Sequence, residues 1–172
     1  MRAASMKAVL LVTASVGLIA AAAGHVAAQG AAGLAGLWTL DAARSDANAG
    51  PTPMPPGGQN YGPALQPNQI YITQSAAEAT ISQGTRGTSY KLDGSENWAP
   101  SIKTNAKIDN GKLVITWRRE VYLGPRAGAA AYDKQTGTDT YSVAGDVLTI
   151  EKTATTAKGN STAKAVYTRT AE

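Results

Sequence analysis

The chain has no cysteine and no phenylalanine, and its single histidine, His25, stands close to its start. Residues 1–28 read as a leader, for reasons given below. The 144 residues after it hold neither cysteine nor histidine. Those absences exclude a disulfide framework, a Cys/His zinc site, a haem held by His or Cys, a thiol nucleophile and a Ser-His-Asp triad. Charge is sparse too: 16 basic and 12 acidic residues in all, with no basic run beyond the pair Arg118–Arg119. No nucleic-acid surface is therefore expected. A D-x-D-x-D-G calcium loop is missing, and Gly84 and Gly87 fall between strands with no helix behind them, so neither a phosphate loop nor a dinucleotide fingerprint is present. Asp93, Glu96, Asp133 and Asp139 form no paired-carboxylate motif on any one element. The sequence thus predicts no catalytic residues, no metal, no cofactor and no enzyme.

What is present begins with a secretory signal. Arg2 and Lys7 supply a positive start, Ala8 to Ala23 is apolar and uncharged, and Val26-Ala27-Ala28 offers small residues for a peptidase. The cut is expected before Gln29, with a cut after Ala23 and a start at Met6 as alternatives. The apolar run falls short of the roughly 20 residues of a spanning helix. No cysteine follows it, so lipid attachment at a cysteine is excluded. A soluble periplasmic or secreted product is expected, with residues 29–172 as a single domain whose stability comes from its core.

Gly36-Leu37-Trp38-Thr39-Leu40-Asp41 reads as a first strand. Residues 47–68 then carry six prolines, Pro51, Pro53, Pro55, Pro56, Pro63 and Pro67, which bar a helix interior or a central strand. This stretch is either a lid over one end of the fold or a plain excursion. Beyond it the chain is a succession of short β patterns at 69–75, 78–84, 87–93, 101–109, 112–122, 135–143, 147–155 and 162–170, parted by Gly-containing turns. Short connections predict an all-β fold, an antiparallel up-and-down meander closed into an eight- to nine-stranded barrel. A barrel of that size is filled by side chains or holds one small ligand.

Two hairpins fix their own registers. With Asn110-Gly111 in a type I′ turn, Ile108–Leu113, Ala106–Ile115, Thr104–Trp117 and Ile102–Arg119 share one face, while the other collects Lys107–Val114, Asn105–Thr116, Lys103–Arg118 and Ser101–Glu120. A turn at Gly145-Asp146 pairs Val143–Leu148, Tyr141–Ile150 and Asp139–Lys152 on one face and Ser142–Thr149 and Thr140–Glu151 on the other. One face is apolar and the other mostly polar, as a sheet buried on one side requires. The polar outward face and the lack of a terminal aromatic argue against an outer-membrane barrel.

Gly36-Leu37-Trp38 near the start of the first strand resembles the G-x-W of the lipocalin and wider calycin families, and Arg169 stands where those folds place a basic residue across the indole. Asp139 within Thr138-Asp139-Thr140-Tyr141 is weakly similar to a second lipocalin motif, with one residue inserted. Two longer segments, Gly36-Leu37-Trp38-Thr39-Leu40-Asp41-Ala42-Ala43-Arg44-Ser45 and Tyr90-Lys91-Leu92-Asp93-Gly94-Ser95-Glu96, look like small secreted bacterial proteins of lipocalin-like type. The resemblance implies a lipocalin-like barrel with Trp38 and Arg169 as a structural clamp at its closed end. The disulfide of many lipocalins and the axial histidine of haem-binding barrels are both missing.

The residue types leave two functions open. In one, a small, partly apolar or anionic ligand enters the barrel, with Tyr90, Trp117, Arg119 and Tyr141 as wall residues. Arg119 shares the apolar face of its hairpin and needs an anionic partner unless the strand has already emerged into solvent. In the other, the barrel is filled and the protein acts through its surface on a protein partner that the sequence does not identify. Trp98, before Ala99-Pro100, is expected in a turn.

Overall fold

Asn110 and Gly111 both take positive φ, as a type I′ turn demands, and the hairpin they close keeps the predicted register from Asp109↔Lys112 to Ile102↔Arg119. The second hairpin likewise pairs Val143↔Leu148, Tyr141↔Ile150 and Asp139↔Lys152. These ladders belong to a computed structural model that describes residues 33–47, 49, 64–99, 102–124 and 132–171. The expected leader and most of the proline-rich stretch, residues 50–63 included, lie outside the described residues, as does Ser101.

Ten strands are described: β1 Gly36–Leu40, β2 Gln69–Gln74, β3 Glu78–Gln83, β4 Arg86–Lys91, β5 Asp93–Ala99, β6 Ile102–Asp109, β7 Lys112–Tyr122, β8 Tyr132–Ala144, β9 Val147–Thr156 and β10 Gly159–Arg169. They form one antiparallel sheet in the order β4-β3-β2-β1-β10-β9-β8-β7-β6-β5. Every neighbour is a sequence neighbour except β1 and β10, whose ladder joins the two ends of the chain. The sheet curls until β4 lies against β5 and β6 without a ladder, which makes a nearly closed barrel. No helix occurs among the described residues.

The count exceeds the eight or nine strands expected because β5 carries little strand signal. Its sequence, Asp-Gly-Ser-Glu-Asn-Trp-Ala, is poor in β-branched residues and starts at a turn pair. The chain reverses at Leu92 instead, Gly94 takes φ 77°, and a bulge between Asp93 and Glu96 lets the strand join β6. Trp98 accordingly lies in a strand, opposite Lys103, and not in a turn.

Inward residues alternate along each strand and fill one continuous core, with Trp38, Tyr167, Leu34, Ile72, Leu113 and Leu148 its largest fully buried members. An antiparallel meander puts alternate connections at opposite ends. The residues before β1 and the turns after β2, β4, β6 and β8 share the Trp38 end. The connections after β1, β3, β5, β7 and β9 share the other. At that second end β7 and β8 outrun their flanks. β6 stops pairing at Ile102↔Arg119 and β9 at Thr136↔Thr155, while Glu120↔Lys134, Val121↔Asp133 and Tyr122↔Tyr132 continue alone. Three further pairs project about 10 Å past the neighbouring strands.

Candidate functional site

At the Trp38 end the side chains build a plug. The indole is fully buried, its Nε1 donates to Leu34 O at 2.9 Å, and the Arg169 guanidinium lies 4.1 Å from the ring centroid. Arg169 also donates to Ala35 O at 2.8 Å and Gly33 O at 2.6 Å, and its Nε faces Asp146 Oδ1 at 3.4 Å. The glycine of G-x-W has a reason here. Gly36 sits at φ 137°, and a Cβ on it would stand 2.5 Å from Arg169 Nη1. The rest of that opening segment is structural as well. Asp41 accepts from Ala43 N and Arg44 N and from Arg44 Nε at 2.6 Å. The Arg44 bond, ahead of the other causes, holds the Asp41 carboxyl below its usual range. Ser45 Oγ takes Val166 N at 2.9 Å and Asp46 takes Lys164 N at 2.7 Å, so side chains carry the β10 ladder past the end of β1.

Further along the barrel the inner wall turns polar. Three rows cross β6 to β10. One is Ile108–Leu113–Tyr141–Ile150–Ala165, the next Ala106–Ile115–Asp139–Lys152–Ala163, and the third Thr104–Trp117–Gly137–Ala154–Ser161, which Asn97 of β5 extends. The middle row thus sets an acid and a base side by side between alanines and an isoleucine. Asp139 is only 6% exposed, and its Oδ1 accepts Trp117 Nε1 at 3.3 Å. The Trp117 ring lies over Gly137, where a Cβ would come within 2.3 Å of it. Burial lowers the Lys152 pKa, and the Asp139 charge opposes that shift.

Three tyrosines face the same space. Burial, then the Asp139 charge, pushes Tyr90 up to about 12, against a hydrogen bond from Thr88. Burial pushes Tyr141 well above its ordinary value, with Tyr90, Asp139 and Tyr167 adding to it. Burial alone takes Tyr167 up to about 12. The Tyr167 hydroxyl and the Asn97 Nδ2 are buried without a hydrogen-bond partner among the described residues.

A pH dependence follows. An unfolded tyrosine ionises near about 10. Tyr90 and Tyr167 hold their protons to about 12 when folded, so their contribution is complete below about pH 10 and is lost as pH climbs through 12. Lys152 has the opposite slope, because its folded pKa lies below 10.5, and that slope ends there. Urea midpoints should therefore fall steadily from about pH 10.5 to 12. A flat profile across that window would contradict the burial of these hydroxyls.

Of the residues that sequence singled out, Tyr90, Tyr141 and Trp117 meet around Asp139. Arg119 does not join them. It is exposed at the rim, its Nε donating to Gln135 Oε1 at 2.7 Å and its guanidinium 5.6 Å from the Trp117 ring centroid. Gln135 in turn donates to Asp133 Oδ2 at 2.7 Å. The acid that Arg119 required is reached through an amide, and the strand has emerged into solvent there. Asp133 and Asp139 lie six residues apart on one strand face, about 20 Å, and do not converge. Lys152, Tyr167 and Asn97 escaped the sequence reading as site residues, although the predicted Asp139–Lys152 pairing had already put a charge pair on the apolar face.

No family model and no curated protein matches the chain. Among solved structures it is similar to a secretary abundant heat soluble (SAHS) protein from Ramazzottius varieornatus, at 20% identity and a TM-score of 0.49, over 80% of this chain and 95% of that one. No residue role is carried over from that likeness.

Proposed function

We propose that this is an exported, lipocalin-like barrel that takes a small, partly apolar molecule into its interior at the level of Asp139, Lys152 and the three tyrosines. The observation that carries the reading is the pairing of buried Asp139 with half-buried Lys152 in a row otherwise made of Ala106, Ile115 and Ala163. A buried ion pair is a poor way to stabilise a core, and apolar residues of like volume do as well or better. A wall that only needed filling has no use for it. The buried Tyr167 hydroxyl and Asn97 amide point the same way, since buried polar atoms normally find partners and a ligand with an acceptor group would supply one. Aliphatic Ile81, Ile115 and Ile150 offer the apolar side of the contact. Mostly apolar surroundings with a few placed polar groups are the usual lining of a small-molecule site.

Trp117, tied to Asp139, is the reporter. Titration with a panel of fatty acids and aromatic acids should quench its fluorescence saturably with at least one of them, and Lys152→Met should weaken that response about tenfold, the effect of losing one charged hydrogen bond to the ligand's carboxylate. Silence across the panel, together with no small molecule co-purifying from the native host, would sink the reading. Export is supported by Arg2, Lys7 and the apolar run to Ala23, and mature protein beginning at Gln29 would establish it.

A second reading, a filled barrel acting through its surface, draws on the outer face. There Thr116, Thr136, Thr138, Thr153 and Thr155 line an open trough of about 450 Å³, with Glu96, Lys103 and Arg118 on its border. Lys103 Nζ lies 3.2 Å from Glu96 Oε1, and Arg118 pairs with the same carboxylate.

A further inference from the structure

The three large hydrophobic side chains that stand most exposed among the described residues are neighbours: Tyr122 at 57%, Leu123 at 50% and Tyr132 at 58%. They sit at the last described pair of the β7–β8 ladder, where the two tyrosine rings meet at 5.3 Å between centroids. Among the described residues, β6 and β9 both stop pairing before this β7–β8 arm does. Apolar side chains gathered on a projection mark a contact surface.

The chemistry of the arm selects the partner. Tyrosine has an apolar ring and a polar hydroxyl, which suits the boundary between headgroups and acyl chains, and leucine adds a purely apolar point. Behind this tip the exposed charges are mostly basic. Arg119 and Lys134 flank the base of the arm and Lys158 lies in the turn after β9, at the same end of the barrel. That turn is tied to the arm by Ala157 N, which donates to Asp133 Oδ1 at 2.9 Å. Against these cations stands Glu120, opposite Lys134 in the ladder, while Asp133 is buried. An apolar tip with a cationic collar matches an anionic bilayer surface, tip among the headgroups and collar against their phosphates. We propose that the β7–β8 arm docks the protein on an anionic phospholipid surface, with Tyr122, Leu123 and Tyr132 as the shallow anchor. The barrel wall itself stays outside the bilayer. The proposal holds whether or not the interior takes a ligand.

Vesicle co-sedimentation tests it, using residues 29–172, which contain every described strand and lack the apolar leader. The protein should bind vesicles of phosphatidylglycerol and phosphatidylcholine, bind pure phosphatidylcholine far less, and come off as salt rises. The combined substitution Tyr122→Ser, Leu123→Ser and Tyr132→Ser should weaken partition by about tenfold or more, with only a small fall in melting temperature from the loss of the Tyr122–Tyr132 ring contact. Lys134→Glu with Lys158→Glu should remove the preference for phosphatidylglycerol. No binding to the anionic vesicles, or undiminished binding by the triple variant, overturns the proposal. So does a concentration-dependent dimer that the same triple substitution dissolves, which would assign the arm to a second copy of the chain.

Discussion

Trp38→Ala should lower the stability of the barrel by about 3–5 kcal/mol, read as a shift in the urea midpoint at neutral pH. The indole is fully buried and sits where β1 meets both β2 and β10, opposite Ile70 on one side and Arg169 on the other. Its removal leaves a cavity that strands pinned on both flanks cannot collapse into. It also strips the guanidinium of its ring, a contact worth about 0.5–2 kcal/mol, and frees Leu34 O of its donor. Arg169→Lys grades the effect. The charge stays, but a single ammonium does not reproduce the fork that reaches Ala35 O and Gly33 O together, so about 1–2 kcal/mol should go. A loss below about 1 kcal/mol for Trp38→Ala would mean that the ends of the chain are joined by the β1–β10 ladder alone.

Asp139→Ala should cost about 1–3 kcal/mol, for a different reason. The carboxylate faces Lys152 across the ladder, takes the Trp117 indole N–H, and opposes the effect of burial on the lysine. Its removal leaves the amine in a desolvated place without that opposing charge. The double variant Asp139→Ala with Lys152→Met should then recover much of the loss, because an apolar pair of similar bulk suits a buried wall at least as well as an ion pair. Recovery of stability together with loss of the fluorescence response to ligands would separate the two roles of the pair. A double variant no more stable than the single one would show that the lysine is not what the aspartate serves.

Both hairpins could be read from the residues because two signals agree there. Asn110-Gly111 fixes a turn type, the turn type fixes the register, and the register sorts Leu113, Ile115 and Trp117 onto one side. β5 offered neither signal. Its Asp93-Gly94 looks like a turn pair, and its polar residues do not alternate. Its course is set by tertiary contacts, with Asn105 Nδ2 donating to Gly94 O at 2.9 Å and Glu96 held by Lys103 and Arg118. The segment Tyr90 to Glu96, which as a whole stood out by its resemblance, is the corner itself: Leu92 turns it, Asp93 takes Ser95 N at 2.8 Å, and Tyr90 reaches inward. The inner charge pair was legible in part. Register placed Asp139 and Lys152 on the buried face, but the fully buried Tyr167 and the Asn97 amide, without a partner among the described residues, depend on side-chain packing that no periodicity reveals.

The line between β4 and β5 is where this wall is not stitched, and a strand without a neighbour is an invitation to other chains. Its borders are ill suited to accept. Both strands are short, one carries Arg86 and Lys91 and the other Asp93 and Glu96, all exposed, and the bulge twists the second out of line. Charged, brief and crooked edges are how β proteins discourage fibrous stacking, so this opening is built to remain vacant even in a crowded solution.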